Sequence, residues 1–452
     1  MSLYWLSILP LAVAGVVHLM GRRQRSLVTG FALLTAVICA NLSLTLPADT
    51  TATYLGQEWL LGEENRVLLA FMYVVTTILF SVAALSKSEE ELYAPMLASA
   101  GLLSAVVLVD SLLLSFVLLP LALVVLGLGV PSSARSSTRG ALSFLAWVTL
   151  PMPFLLAIFP LLEQSALRPQ NAYLVQWSAW LVVPPVILWL TLFPLHWTTR
   201  LWAGSGRALI PVFLWTVKDG VVLLLLFALW RQIPVLREQG PVSALGAIGL
   251  MTAVVSGVLA LAHPRPGAVL ACAAMSELGI AVQGMMAASV GGLEGGLTLF
   301  VSRCVAVLLA SSALAGINVA SARGRESDGG SFGWRSVVML VAFSIGVLSM
   351  AGMPPLLGFL GRECIYSALQ PEGTHLLLAW LSASTGIVLG LVRAVWSAWH
   401  SQLRFPVGHS YDLLLLLVLG LLLLCVWIGL FPQVTLDLIA DWVRRAAPAS
   451  CL

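Results

Sequence analysis

The sequence predicts an all-α integral membrane protein of about fourteen transmembrane helices, arranged as two inverted five-helix repeats with broken helices 7 and 12. Composition, the spacing of apolar stretches and a proline pair that recurs in two spans predict it. Hydrophobic residues fill 60% of the 452 positions and charged residues 10%, roughly the reverse of what a soluble domain needs at its surface. That excludes a soluble multidomain enzyme.

A helix needs about 20 apolar residues to cross the hydrocarbon core. Candidate spans fall near 3–20, 27–46, 66–84, 94–109, 111–130, 140–163 and 174–197. A second set follows near 208–231, 241–262, 267–289, 296–319, 336–360, 377–400 and 411–431. Almost no loop separates helices 4 and 5 at Asp110, so that boundary is the critical one for the register of everything downstream. The N-terminal apolar run is too long for a signal h-region and is expected to be a retained first helix. Residues Val434 to Arg445 read as an amphipathic interfacial segment after helix 14.

Charge placement orients the spans. Loops after odd-numbered helices hold Arg22, Arg23, Arg25, Lys87, Arg135, Arg139, Arg200, Arg207, Arg265, Arg323, Arg325, Arg335 and Arg404, whereas those after even-numbered helices hold little beyond Arg66, Arg168 and Arg237. The positive-inside rule then makes the odd loops cytoplasmic, with both termini on the opposite face of a bacterial cytoplasmic membrane. The net charge of +3 sits in these loops rather than in a patch or tail, so nothing suggests nucleic acid. The six cysteines are scattered, with no Cys-x-x-Cys and no His at ligand spacing, so neither a metal site nor a disulfide framework is expected.

Pro184-Pro185 falls in helix 7 and Pro354-Pro355 in helix 12. Each pair removes two backbone donors, and lipid does not satisfy the freed carbonyls, so such breaks are expected to face protein or a hydrated cavity. Ordinary proline kinks are the alternative. A separation of five helices fits two copies of a five-helix unit, inverted because five is odd. Four parts follow: 1–93 (helices 1 to 3), 94–231 (helices 4 to 8), 232–400 (helices 9 to 13) and 401–452 (helix 14 and the interfacial segment). Matching breaks in inverted repeats point to an ion or substrate path.

Ionisable residues inside spans are the candidate site. Lys218 is one of two lysines in the chain and has Asp219 beside it; an ammonium in a dry site gives up its proton far more readily than a guanidinium. A static Lys218–Asp219 pair is the alternative, although adjacent helical residues diverge and Asp219 is expected to pair elsewhere. Glu277 lies in helix 10, Arg303 in helix 11, Arg362 and Glu363 just past the break in helix 12, and Arg393 in helix 13. The arginines hold charge without passing a proton on. Snorkelling to the interface is the alternative for Arg362, Glu363 and Arg393, and a structural pair with Glu277 is the alternative for Arg303. Asp110, His196 and His263 sit at helix ends, where capping or interfacial hydrogen bonding is the simpler role.

The stretch Leu348 to Arg362, LSMAGMPPLLGFLGR, resembles the broken helix 12 of the antiporter-like subunits of complex I, nearest the N-type, and of the Mrp antiporter D subunit. Phe193-Pro-Leu-His196-Trp197 resembles their motif closing helix 7, and Gly429-Leu-Phe-Pro432 their helix 14 ending. The resemblance implies a fourteen-helix fold with two inverted repeats, sister subunits alongside in the membrane, and a central chain of ionisable groups moving protons or sodium. It carries the family's helix 8 lysine onto Lys218 and its helix 12 lysine onto Arg362. It also exposes losses. The family's helix 5 glutamate falls on Pro120 and its helix 7 lysine on Trp189, a Lys-Arg pair opening helix 10 is replaced around Pro266-Gly267, the usual histidine there is Glu277, and an Ala-Pro-x-x-x-Ser signature is missing between His196 and Lys218.

Three functions stay open from sequence. The chain is a translocating or charge-coupling subunit with a partial relay around Lys218, or a diverged paralogue that builds the membrane arm without pumping, or an independent solute transporter. No nucleotide loop, haem ligand, quinone pocket or iron-sulfur cysteine set is legible, so the chain is expected to carry no cofactor. Any redox chemistry of an NADH-quinone oxidoreductase-like assembly would lie on partner subunits.

Overall fold

In hydrocarbon, backbone N–H and C=O groups must be satisfied within the protein, which leaves the helix as the form available to apolar stretches of this length. The computed structural model describes residues 3–21, 24–54, 56–86, 90–128, 142, 144–167, 172–195, 209–236, 239–287, 289–323, 333–369, 374–400 and 409–446. His196, Trp197, Lys87, Cys451 and the loop arginines Arg22, Arg23, Arg135, Arg139, Arg168, Arg200, Arg207, Arg237, Arg325 and Arg404 lie outside the described residues.

The helices are α1 (Trp5–Met20), α2 (Arg25–Thr45), α3 (Glu63–Ser86), α4 (Tyr93–Leu108), α5 (Leu112–Leu128), α6 (Met152–Leu167), α7 (Ala172–Leu190) and α8 (Leu209–Gln232). They continue as α9 (Gln239–Ala262), α10 (Pro266–Met286), α11 (Val290–Arg323), α12 (Trp334–Met350), α13 (Leu357–Leu369), α14 (Thr374–His400), α15 (His409–Leu430) and α16 (Gln433–Ala446). Among the described residues, 10 helices are long and apolar enough to cross a membrane, and α1, α4, α5 and α12 are shorter apolar helices. Each stretch anticipated as a span coincides with helical structure. The protein is thus an α-helical multi-pass membrane protein.

One element departs from the all-α expectation. Strands β1 (Thr50–Tyr54) and β2 (Gln57–Leu61) form an antiparallel hairpin between α2 and α3, with Thr50 opposite Leu61 and Tyr54 opposite Gln57. This hairpin settles the α4–α5 boundary. Trp59 bridges Val109, and the Asp110 N–H donates to the Glu58 carbonyl at 3.1 Å, so the chain leaves α4 in an extended conformation and restarts at Leu112. A polar link from Tyr4 Oη to the Thr53 carbonyl, 2.7 Å, ties the start of α1 to the same hairpin.

The chain divides into two units, Met1–Leu190 with Phe213–Pro241, and Thr191–Val212 with Val242–Leu452. In the first, α1 packs on α4 and α2, α2 on α3, and α8 on α4, α5 and α7. Pro10 deprives the Leu6 carbonyl of its helical donor, and the buried Tyr73 hydroxyl supplies one at 2.5 Å while pairing with Ser104 at 2.6 Å. In the second unit α11 is central, with α10, α12, α13, α15 and α16 around it. Amphipathic α16 lays Ile439 and Val443 inward and leaves Asp437, Asp441 and Arg444 exposed.

The two proline pairs behave differently. Pro354-Pro355 lies in the turn that separates α12 from α13, so this span is interrupted at its proline pair. The expectation that Pro184-Pro185 breaks helix 7 is corrected: α7 runs through both prolines to Leu190, and the interruption follows at Thr191, whose φ is +53°. A proline costs one helical hydrogen bond, and the flanking bonds of a well-packed span carry the turn through; a β-branched residue in the left-handed region ends it.

Candidate functional site

In the first unit the site is built at a local defect of α8. Residues Leu214–Lys218 form a π turn between two α-helical stretches, an arrangement found disproportionately at functional positions. Lys218 is 5% exposed and Asp219 1%. The expectation that Asp219 pairs elsewhere is corrected, because Lys218 Nζ stands 2.6 Å from Asp219 Oδ1. Helical divergence separates the two Cβ atoms, but four methylenes let the ammonium fold back across the widened turn. Lys218 Nζ also donates to the Trp189 carbonyl at the end of α7. That carbonyl lies where the helical ladder fails, since the Phe193 N–H, its regular i+4 donor, donates instead to Thr252 Oγ1 at 2.8 Å.

Apolar bulk occupies the positions of Trp189 and Pro120. Trp189 is buried, its indole N–H donating to the Val148 carbonyl at 3.4 Å. Its ring lies 6.3 Å from Phe116, which in turn lies 6.2 Å from Phe159. Pro120 is buried one turn along α5 from Phe116.

In the second unit the α12–α13 break forms the floor of a buried charged cluster. Arg362 is buried on α13 and donates through Nη2 to the Met350 carbonyl and through Nη1 to Ser384 Oγ of α14, both at 2.6 Å. Pro354 has no N–H to give Met350, so the guanidinium caps a carbonyl left open by the break. Gly352, with φ +76°, makes the fit possible: a Cβ there would stand 2.6 Å from Arg362 Cδ. Gly358 does the same for Glu277, whose Oε1 lies 3.1 Å from where a Cβ would be.

Glu277 on α10 is wholly buried, with the buried Ser302 hydroxyl beside its carboxylate, and the buried Ser349 hydroxyl lies beside Cys425. Arg362 and Arg303 both act on it electrostatically. Arg303, fully buried on α11, donates through Nε to the Ala274 carbonyl at 2.7 Å, one turn before Glu277 on α10.

The structure therefore brings Glu277, Arg303 and Arg362 together. It does not bring Glu363 or Arg393 to them: both are exposed on the chain's surface, Arg393 reaching the Leu261 carbonyl at 3.3 Å. Two participants escaped sequence reading. Ser384 and Trp189's carbonyl are chemically unremarkable until helix pairing and helix termination place them beside a cation.

Residues 170–389 match the family described as NADH:quinone oxidoreductase/Mrp antiporter, transmembrane. The chain is 25% identical to NADH-quinone oxidoreductase subunit N of Methylococcus capsulatus over 272 residues, 56% of this chain and 52% of that one. It is 27% identical to subunit N 1 of Solidesulfovibrio magneticus over 332 residues, 69% of each. The matched region is thus about half the length of the first relative. In fold, the chain is similar to a chain of the archaeal membrane-bound sulfane sulfur reductase, with a TM-score of 0.82 at 15% identity over 99% of both. A chain of the Mrp complex from a Dietzia species gives 0.77 at 14% identity over 100% and 99%, and one of respiratory complex I from Thermus thermophilus gives 0.73 at 17% over 95% and 98%.

Proposed function

We propose that this chain, similar to the antiporter-like membrane subunits of complex I and Mrp complexes, moves protons or sodium, or couples charge movement to a redox or transport partner, through a partial relay. Lys218 and Asp219 contribute in the first unit, and Glu277, Arg303 and Arg362 in the second. Glu363 and Arg393 serve at the surface. Other membrane subunits and lipid surround the chain, and redox cofactors belong to those partners. The arginine bias supports a bacterial cytoplasmic membrane with both termini on the non-cytoplasmic face. The proline pairs recurring five helices apart support reading helices 4 to 8 and 9 to 13 as inverted repeats.

One observation carries the reading. Glu277 is a carboxyl group fully enclosed within the protein, with the buried guanidinium groups of Arg362 and Arg303 acting on it, and ionisable groups carried at this depth cost stability if they are only structural. Inside a span such a group is the mark of an ion path. Its arginine neighbours hold a permanent charge, so Glu277, Lys218 and Asp219 are the buried members able to exchange a proton.

A second reading has its own support. The Lys218–Asp219 ion pair and the Phe116, Phe159 and Trp189 rings fit a first half that no longer conducts, in a chain that scaffolds the membrane arm. Glu277→Gln decides between them. In the assembled complex in sealed vesicles, the translocating reading expects ion movement to fall at least tenfold with assembly intact. Wild-type movement in a normally assembled variant overturns it and leaves the scaffold.

A further inference from the structure

Helices α9 and α14 run parallel in the second unit and touch through their backbones. A Cβ on Gly386 would stand 2.3 Å from the Gly257 carbonyl oxygen, and one on Gly390 would stand 2.5 Å from that of Ala260. The next contact along is polar: Arg393 Nη1 donates to the Leu261 carbonyl at 3.3 Å, in the last turn of α9. The chain then turns through exposed Arg265 into α10, while α14 continues past Arg393 to His400. On that projecting part Trp396 and His400 follow Arg393 at three and seven residues, on one helical face. Their ring centroids are 4.4 Å apart, and Trp396 is 67% exposed. In the other direction the same face is exposed and apolar through Val392, Leu389, Leu381 and Leu378.

Charge sets this corner apart. Among the described residues Arg66, Arg231, Arg335 and Arg444 each meet a carboxylate, whereas Arg265 and Arg393, both exposed, do not. Helices α9 and α14 contain no acidic residue, and the one on α10 is the buried Glu277. We infer that Arg393 and Arg265 bind the phosphate of an anionic phospholipid whose acyl chains lie along the exposed face of α14. Capping Leu261 uses one of the five guanidinium donors of Arg393, and the rest of that planar fork suits phosphate oxygens. Basic groups between helices at a membrane face select anionic head groups, and an indole beside them suits the headgroup level. The apolar stripe that begins at the level of the guanidinium matches a headgroup with attached chains; a soluble anion would leave it unused. Arg393 thereby has a task separate from ion movement, so failure of the lipid site leaves the relay standing.

Native mass spectrometry of the detergent-solubilised full chain tests it, with phosphatidylglycerol and phosphatidylcholine of equal chain length supplied together. The wild type is expected to retain phosphatidylglycerol in excess. Arg393→Gln is expected to lower that retention at least fivefold, Arg265→Gln and Trp396→Ala by less, and Arg393→Lys to recover part of it. Arg444→Gln, at an exposed arginine paired with Asp441, is expected to leave it unchanged. No loss in Arg393→Gln, an equal loss in Arg444→Gln, or loss of phosphatidylcholine in the same proportion overturns the site. Displacement of phosphatidylglycerol by millimolar inorganic phosphate overturns it too, by marking a site for soluble anions. In the assembled complex a Trp396→Cys thiol is expected to react with a lipid-soluble maleimide. Protection there, with reaction in the isolated chain, would give this face to a neighbouring subunit and overturn the lipid site.

Discussion

The Arg362 guanidinium donates at 2.6 Å to the Met350 carbonyl, the group that Pro354 leaves without a helical donor four residues on. The first unit repeats the device with a different cation, Lys218 capping the Trp189 carbonyl where α7 stops. In both places a charge sits on the carboxyl end of an interrupted helix, where the backbone's partial negative charge favours a cation. Interruption and charge are therefore one feature, since each stabilises the other.

Arg362→Met removes both the cap on Met350 and a cation beside Glu277. Breaking one partner of a buried charged set costs about 3–5 kcal/mol, and the thermal unfolding midpoint of the detergent-solubilised protein is expected to fall accordingly. Arg362→Lys keeps the charge but cannot reach Met350 and Ser384 in a rigid fork. It is expected to recover part of the loss.

Gly352→Ala tests the cradle. The position has φ +76°, and the added methyl would meet Arg362 Cδ at 2.6 Å. Backbone strain of about 1–2 kcal/mol and displacement of the guanidinium are expected together. The variant is predicted to lower both the unfolding midpoint and ion movement, whereas Gly56→Ala, at φ +74° but in open space in the hairpin turn, is predicted to lower the midpoint alone.

The Lys218–Asp219 pair yields a double-mutant cycle. Lys218→Met removes the ammonium 2.6 Å from the Oδ1 of Asp219, itself 1% exposed, and is expected to destabilise by about 3–5 kcal/mol. Adding Asp219→Asn removes the buried carboxylate charge and is expected to restore part of that stability. The relay expects ion movement to stay lost in the double variant, measured in vesicles. Recovery of both together would mark the pair as purely structural.

Trp189→Phe keeps a ring against Phe116 and removes the donor to Val148. A loss of about 1 kcal/mol is expected from the hydrogen bond. Trp189→Ala opens a cavity and is expected to cost about 3–5 kcal/mol. Thermal unfolding of the two variants side by side separates the hydrogen bond from the packing.

Much of the architecture was legible because lipid imposes rules that act locally along the chain, the first being enough apolar residues to cross. The first rule placed the apolar helices, and the missing proline donors marked the break at Pro354-Pro355. The hairpin at Thr50–Leu61 was not legible, because its mixed polar strands resemble an ordinary loop until Val109 and Asp110 supply the pairing edge. Pro184-Pro185 misled for the opposite reason. Freed carbonyls need a partner, but no count of missing donors says whether neighbouring turns hold, and α7 ends instead at Thr191.

For the site, the residues were readable and their partnerships were not. A scarce lysine, a mid-span glutamate and an arginine after a proline pair stand out in any apolar run, because hydrocarbon penalises each one individually. Which charges meet depends on helix rotation and on where a helix ends, quantities set by packing across hundreds of residues. The fold folded Lys218 back onto its own neighbour, buried Arg362 on a broken helix end, and turned Glu363 and Arg393 outward. Span placement followed from the solvent, while charge pairing followed from contacts between helices distant in the chain.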